Sequence, residues 1–146
     1  MIEIISTSCE QTEQLGKKLA KTLSGAEIIA MFGDLGAGKT AFTRGLCRGL
    51  NVTSNVCSPT FTIVNEYAGD FRVYHFDMYR VNTLDDLCST GYFDYIDSGI
   101  LVIEWSENIE DVLPENAIRV SIQYGESENE RVICIEGANL SEDFGD

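Results

Sequence analysis

Residues 33–40 read Gly33-Asp34-Leu35-Gly36-Ala37-Gly38-Lys39-Thr40, a complete G-x-x-x-x-G-K-[ST] motif, and nothing else in the chain restricts its fold so strongly. Glycines at this spacing let the backbone wrap an anion with its own N–H groups, because side chains there would block the approach. The motif needs a strand before it and a helix after it. Residues 27–32 (EIIAMF) form an apolar run of the kind buried on both faces of a sheet, and residues 40–50 read as a helix. The N-terminus of that helix adds partial positive charge. Lys39 would then reach the β- and γ-phosphates of a nucleoside triphosphate, and the Thr40 hydroxyl a Mg²⁺ ion. Average residue usage produces such a match by chance on the order of once in two hundred chains of this length, so nucleotide binding is expected.

The remaining pattern places this loop in an α/β domain. A strand is expected at residues 2–6, followed by Thr7 or Ser8 as a helix cap. Leu15, Leu19 and Leu23 repeat on one helical face, with Gly25 as the stop. Residues 60–67 and 71–76 read as a hairpin around Ala68-Gly69-Asp70, and Thr83 caps a short helix starting at Leu84. Residues 100–103 (ILVI) are a second fully apolar strand. Ser106 caps a short helix that stops before Pro114, and strands at 117–124 and 131–136 close a second hairpin. The expected architecture is a single three-layer domain over residues 1–146, resembling P-loop NTPases. Its central sheet is mostly parallel, antiparallel strands and hairpins are added to it, and residues 140–146 form a frayed tail.

Charge narrows the partners. The 146 residues carry 10 Lys+Arg against 24 Asp+Glu, a formal net charge of −14. Residues 1–50 are nearly balanced at +1, whereas residues 51–146 carry −15. Any anion is therefore expected in the first third, and a surface this acidic repels nucleic-acid backbones. The five cysteines include no C-x-x-C pair and there is one histidine, so reduced thiols are expected rather than a closed zinc site. With no basic start to the N-terminal segment and no apolar run near the ~20 residues that cross a bilayer, a cytoplasmic protein without membrane attachment is expected.

Hydrolysis requires a carboxylate near the metal, at the end of an apolar strand. Two residues qualify. Glu104 closes Ile100-Leu101-Val102-Ile103, and Asp77 closes Val73-Tyr74-His75-Phe76, where alternation puts Val73, His75 and Asp77 on one face. His75 reads more simply as a hydrogen-bonded structural histidine than as a water-orienting group. Trp105, the sole tryptophan, reads as a packing residue.

The ordered set GDLGAGKT (33–40), SPTFTIVNEY (58–67), YHFDMYR (74–80) and IEWSE (103–107) resembles the bacterial TsaE family, formerly YjeE. The family is the small ATPase of tRNA threonylcarbamoyladenosine (t6A) biosynthesis. The resemblance runs from the first helix to about Pro114. It implies an ATP- and Mg²⁺-dependent ATPase, slow alone, that works with the TsaB–TsaD complex. TsaD transfers threonylcarbamoyl to adenosine 37 of tRNA, and the TsaE partner supports repeated turnover, meeting tRNA only through its partners. By position, Gly33 to Thr40 hold the nucleotide, Lys39 grips phosphate, and Thr40 with Glu104 holds Mg²⁺. Asp77 assists hydrolysis and Trp105 lies beside the site. Ser58-Pro59-Thr60 forms a switch-like segment, and the adenine contact falls around Ser8 and Cys9. Cys57 and Met78 depart from the family's usual residues without touching this chemistry.

Two other classes share the loop. A small nucleotide or metabolite kinase would close an arginine-bearing lid over the transferred phosphate, but only Arg72, Arg80, Arg119 and Arg131 follow residue 50, without clustering. A regulatory module would bind nucleotide without hydrolysing it.

Overall fold

The computed structural model describes residues 2–33, 38–54, 56 and 64–137. Within them a seven-stranded sheet runs in the order β1-β7-β6-β2-β5-β4-β3. Its strands are β1 (Ile2–Ser6), β2 (Ile28–Gly33), β3 (Val64–Ala68), β4 (Arg72–Asp77), β5 (Ile100–Glu104), β6 (Ile118–Tyr124) and β7 (Arg131–Glu136). The four central strands, β6-β2-β5-β4, are mutually parallel; β7 and β1 extend one side antiparallel, and β3 pairs antiparallel with β4 on the other. This is the expected α/β sheet with hairpins added at its edges.

The apolar runs lie where burial on both faces demands them. All five residues of β5 are buried, as are the first four of β2. Alternation sorts the strands' side chains between two cores. Ile29, Met31, Val73, Val102, Val120 and Ile122 pack under α1 (Cys9–Ala20) and α2 (Lys39–Gly49). Ile28, Tyr74, Phe76, Leu101 and Ile103 pack on the opposite face with Leu87 of α3 (Leu84–Ser89) and Tyr92 of α4 (Tyr92–Tyr95). The result is three layers with the sheet in the middle.

Local signals set most of the boundaries. Ser8 caps α1 by accepting the Gln11 N–H, and the Gln11 side chain reaches back to the Thr7 N–H at 2.7 Å. Thr83 caps α3 by accepting the Asp86 N–H. Two expectations need correction. The first helix ends at Ala20 rather than near Gly25, because turn bonds from Thr22 and Leu23 to the Leu19 and Ala20 carbonyls close it early; Leu23 is buried beyond the helix. Ser106 does not cap a helix. Trp105 precedes the 3₁₀ segment Ser106–Val112 with φ 60°, and the Ser106 hydroxyl donates back to the Ile103 carbonyl at 2.8 Å. The segment ends before Pro114, as expected. The short helix α4 has no counterpart in the sequence pattern.

Two helical glycines bring α1 and α2 together. A Cβ on Gly16 would run into the Phe42 carbonyl oxygen, and one on Gly45 into the Glu13 carbonyl oxygen. Glu13 then bridges to α2 through both Arg44 (3.1 Å) and Arg48 (2.6 Å).

Candidate functional site

Parallel strands deliver the residues at their C-terminal ends to one edge of the sheet, and α2 begins at that edge. β4 and β5 pair so that Asp77 stands opposite Glu104, and His75 opposite Val102. Because Val73 and Val102 face α1 and α2, alternation turns His75, Asp77 and Glu104 to that face as well. The two candidate carboxylates are thus neighbours on adjacent strands.

Gly38 opens α2 at φ 116°, a left-handed conformation suited to glycine, and Lys39 follows as the first helical residue. Lys39 is only 6 % exposed. Its ammonium donates to the Gly33 carbonyl at 3.2 Å and lies 4.5 Å from the Trp105 ring centroid. Trp105 in turn packs against Tyr79, with ring centroids 4.9 Å apart. Tyr79 donates its backbone N–H to Asp77 Oδ1 at 2.9 Å. The Asn108 side chain ties down the Met78 and Tyr79 carbonyls at 2.8 and 3.2 Å. Glu107 Oε2 accepts the Gly33 N–H at 3.3 Å.

Burial raises the Asp77 carboxyl above the ordinary aspartate range. The Tyr79 N–H opposes that rise, the neighbouring Glu104 adds to it, and His75 and Lys39 pull it down. Glu104 is 5 % exposed, with Oε2 2.9 Å from His75 Nε2. A buried lysine, two buried or half-buried carboxylates and a helix start thus meet at one sheet edge.

The model of the family described as Threonylcarbamoyl adenosine biosynthesis protein TsaE matches residues 6–133. The chain belongs to the TsaE family. Among relatives named tRNA threonylcarbamoyladenosine biosynthesis protein TsaE, one from Haemophilus influenzae is 44% identical over 119 residues, covering 76% of this chain and 75% of that protein. One from Nostoc is 40% identical over 131 residues, covering 86% and 80%. One from Treponema pallidum is 34% identical over 120 residues, covering 82% and 89%. The crystal structure of Bacillus subtilis YdiB superposes with a TM-score of 0.75 at 34% identity, covering 90% of this chain and 82% of that one. The fold of this TsaE-family chain is P-loop NTPase-like.

The structure gathers Gly33, Gly38, Lys39, Asp77, Glu104 and Trp105 at one edge, with Thr40 on the first turn of α2. Asp34, Leu35, Gly36, Ala37, Cys57, Ser58, Pro59, Thr60 and the tail 140–146 lie outside the described residues. Ser8 and exposed Cys9 begin α1. Thr12, one turn further, approaches the position that a Cβ on Gly38 would occupy. Tyr79, Glu107 and Asn108 belong to the site's surroundings; Tyr79 and Glu107 lie within the motifs YHFDMYR and IEWSE without an assigned role, and Asn108 directly follows the second. No helix among the described residues is long and apolar enough to cross a membrane.

Proposed function

We propose that this chain is a Mg²⁺-dependent ATPase that supports t6A modification of tRNA by acting with the TsaB–TsaD complex in the cytoplasm, hydrolysing ATP slowly on its own. The observation that carries the reading is the register of Asp77 opposite Glu104 beside the buried Lys39. The names borne by its relatives supply the pathway.

The donors fit magnesium. Thr40, Asp77 and Glu104 offer hard oxygens, and among the described residues no group of three or more His, Cys, Asp and Glu is arranged to hold a metal. Mg²⁺ commonly takes one or two carboxylates plus substrate phosphates and water. Bound there by Thr40 and Glu104, it would neutralise the charge on the phosphates. Lys39 would exchange the Gly33 carbonyl for phosphate oxygens, and Trp105 would remain beside the nucleotide. Asp77, its proton affinity raised by burial, is suited to orient water and accept its proton.

Kinase chemistry is disfavoured because three of the four late arginines are engaged in local contacts, which leaves Arg80 without a cluster. Arg72 pairs with Glu66, Arg119 with Glu110, and Arg131 donates to the Glu128 and Glu130 carbonyls. The test is hydrolysis of ATP by the chain alone and with TsaB–TsaD, together with a t6A turnover assay. Slow turnover that rises with the complex and disappears in Lys39→Ala is expected. Undiminished hydrolysis in Lys39→Ala, or transfer of label from ATP to a nucleoside monophosphate or small alcohol, overturns the reading.

A further inference from the structure

His75 is fully buried in the middle of β4, yet both ring nitrogens face polar partners. Nε2 is 2.9 Å from Glu104 Oε2. Nδ1 is 3.4 Å from the Tyr67 hydroxyl, which the Asn65 amide nitrogen approaches at 3.5 Å. β3 and β4 pair so that Asn65 stands opposite His75 and Tyr67 opposite Val73, which places these groups on one face. The chain of groups therefore crosses three strands and ends on the site's carboxylate.

Its polarity follows from that end. A carboxylate oxygen accepts, so Nε2 carries the hydrogen. In the neutral ring Nδ1 is the acceptor, facing the Tyr67 O–H, whose oxygen accepts from Asn65. The link to Glu104 is the short one; the two behind it are longer and secondary. A buried histidine with a purely architectural role needs only some partner, and a backbone carbonyl would serve. Here the short bond falls on a carboxylate that is itself 5 % exposed, where little water is available to hold its rotamer.

We propose that His75 is the positioning residue for the divalent cation that accompanies the nucleotide. Its Nε2–H fixes one oxygen of Glu104, so the carboxylate is presented to the ion in a single orientation, and Tyr67 maintains the tautomer that allows this. Partners of this kind, one bond removed from the metal, typically alter metal affinity about 10–100-fold. The inference rests on the Mg²⁺–nucleotide reading above.

The test uses the full-length protein, ADP, and Mn²⁺ as a spectroscopic probe for the ion. Wild type is measured first. If ADP and Mn²⁺ do not enhance each other's binding, the Mg²⁺–nucleotide reading itself fails. If they do, His75→Asn and His75→Gln separate the two roles of the ring. The asparagine amide stops short of Glu104, whereas the glutamine amide reaches the position of Nε2. His75→Asn is expected to weaken Mn²⁺ binding about 10–100-fold while leaving ADP affinity in EDTA unchanged. His75→Gln is expected to recover most of the loss. Wild-type Mn²⁺ affinity in His75→Asn, a parallel loss of metal-free ADP binding, or no recovery in His75→Gln overturns the proposal. Because His75 is the only histidine, its ¹⁵N spectrum in the wild-type protein gives a reading that needs no variant. The hydrogen is expected on Nε2; finding it on Nδ1 overturns the assignment.

Discussion

The Lys39 ammonium rests 4.5 Å from the centre of the Trp105 ring while donating to the Gly33 carbonyl, so the cation of the phosphate loop lies over the sole tryptophan. A cation over an indole face is an electrostatic contact with a spectroscopic consequence.

Intrinsic fluorescence should therefore report on Lys39. Bound nucleotide would draw the ammonium toward phosphate, and emission from Trp105 should change in proportion to sites filled. Lys39→Met removes the cation, so its emission without nucleotide should already differ from wild type. Identical spectra for the two proteins contradict the contact.

Asp77→Asn should separate activity from stability. The substitution keeps an acceptor for the Tyr79 N–H but cannot take up a proton, and hydrolysis with TsaB–TsaD should fall about 10²–10⁴-fold, the usual range for a positioned acid–base group. Because burial raises the Asp77 pKa on folding, the folded state binds the proton more tightly than the unfolded chain. Its stabilising share is present at low pH and is lost as pH rises through the folded pKa. Asp77→Asn should thus melt at or above the wild-type temperature near neutral pH. For a chain this size roughly 2–4 °C corresponds to each kcal/mol. A lower melting point would contradict this sign.

Gly45→Ala should destabilise the fold by about 1–3 kcal/mol, the usual cost of forcing a methyl into a filled contact. The added carbon meets the Glu13 carbonyl and pushes α1 away from α2. Urea unfolding measures it, and a midpoint equal to wild type would refute the close approach.

Thiol labelling should follow burial. Cys47 is fully buried, and that burial pushes its thiol up to about 12, so it should resist alkylation at pH 8 until the chain unfolds. Exposed Cys9 and Cys88 should react first. Peptide mapping after a short pulse distinguishes them; early modification of Cys47 would contradict the packing.

The strands were legible because their signals are local. β1 and β7 have the limits expected from their patterns, and β5 extends its apolar run by one residue, Glu104. Asp77 and Glu104 were legible for the same reason, each ending an apolar strand. What neither strand contains is the register between them, since pairing is a property of two segments that meet only in the fold. For that reason His75 could be read as a hydrogen-bonded histidine, but not as the partner of Glu104. Gly16 and Gly45 were equally silent: in a helical pattern they read as weak positions until the second helix is in place. Trp105 takes a left-handed conformation that tryptophan does not advertise, which is why Ser106 was mistaken for the cap.

Gly16 and Gly45 have one further consequence. With no methyl layer between α1 and α2 and Glu13 bolted to two arginines, the two helices act as one bracket. Ser8 and Cys9 sit at the tip of one arm, and Gly38 and Lys39 at the tip of the other. A nucleotide held across those tips would meet one pair of helices at both ends. Asp77, Glu104 and Trp105 stand on the sheet instead, so among the described residues the carboxylates and the helix tips belong to different layers that meet at Lys39.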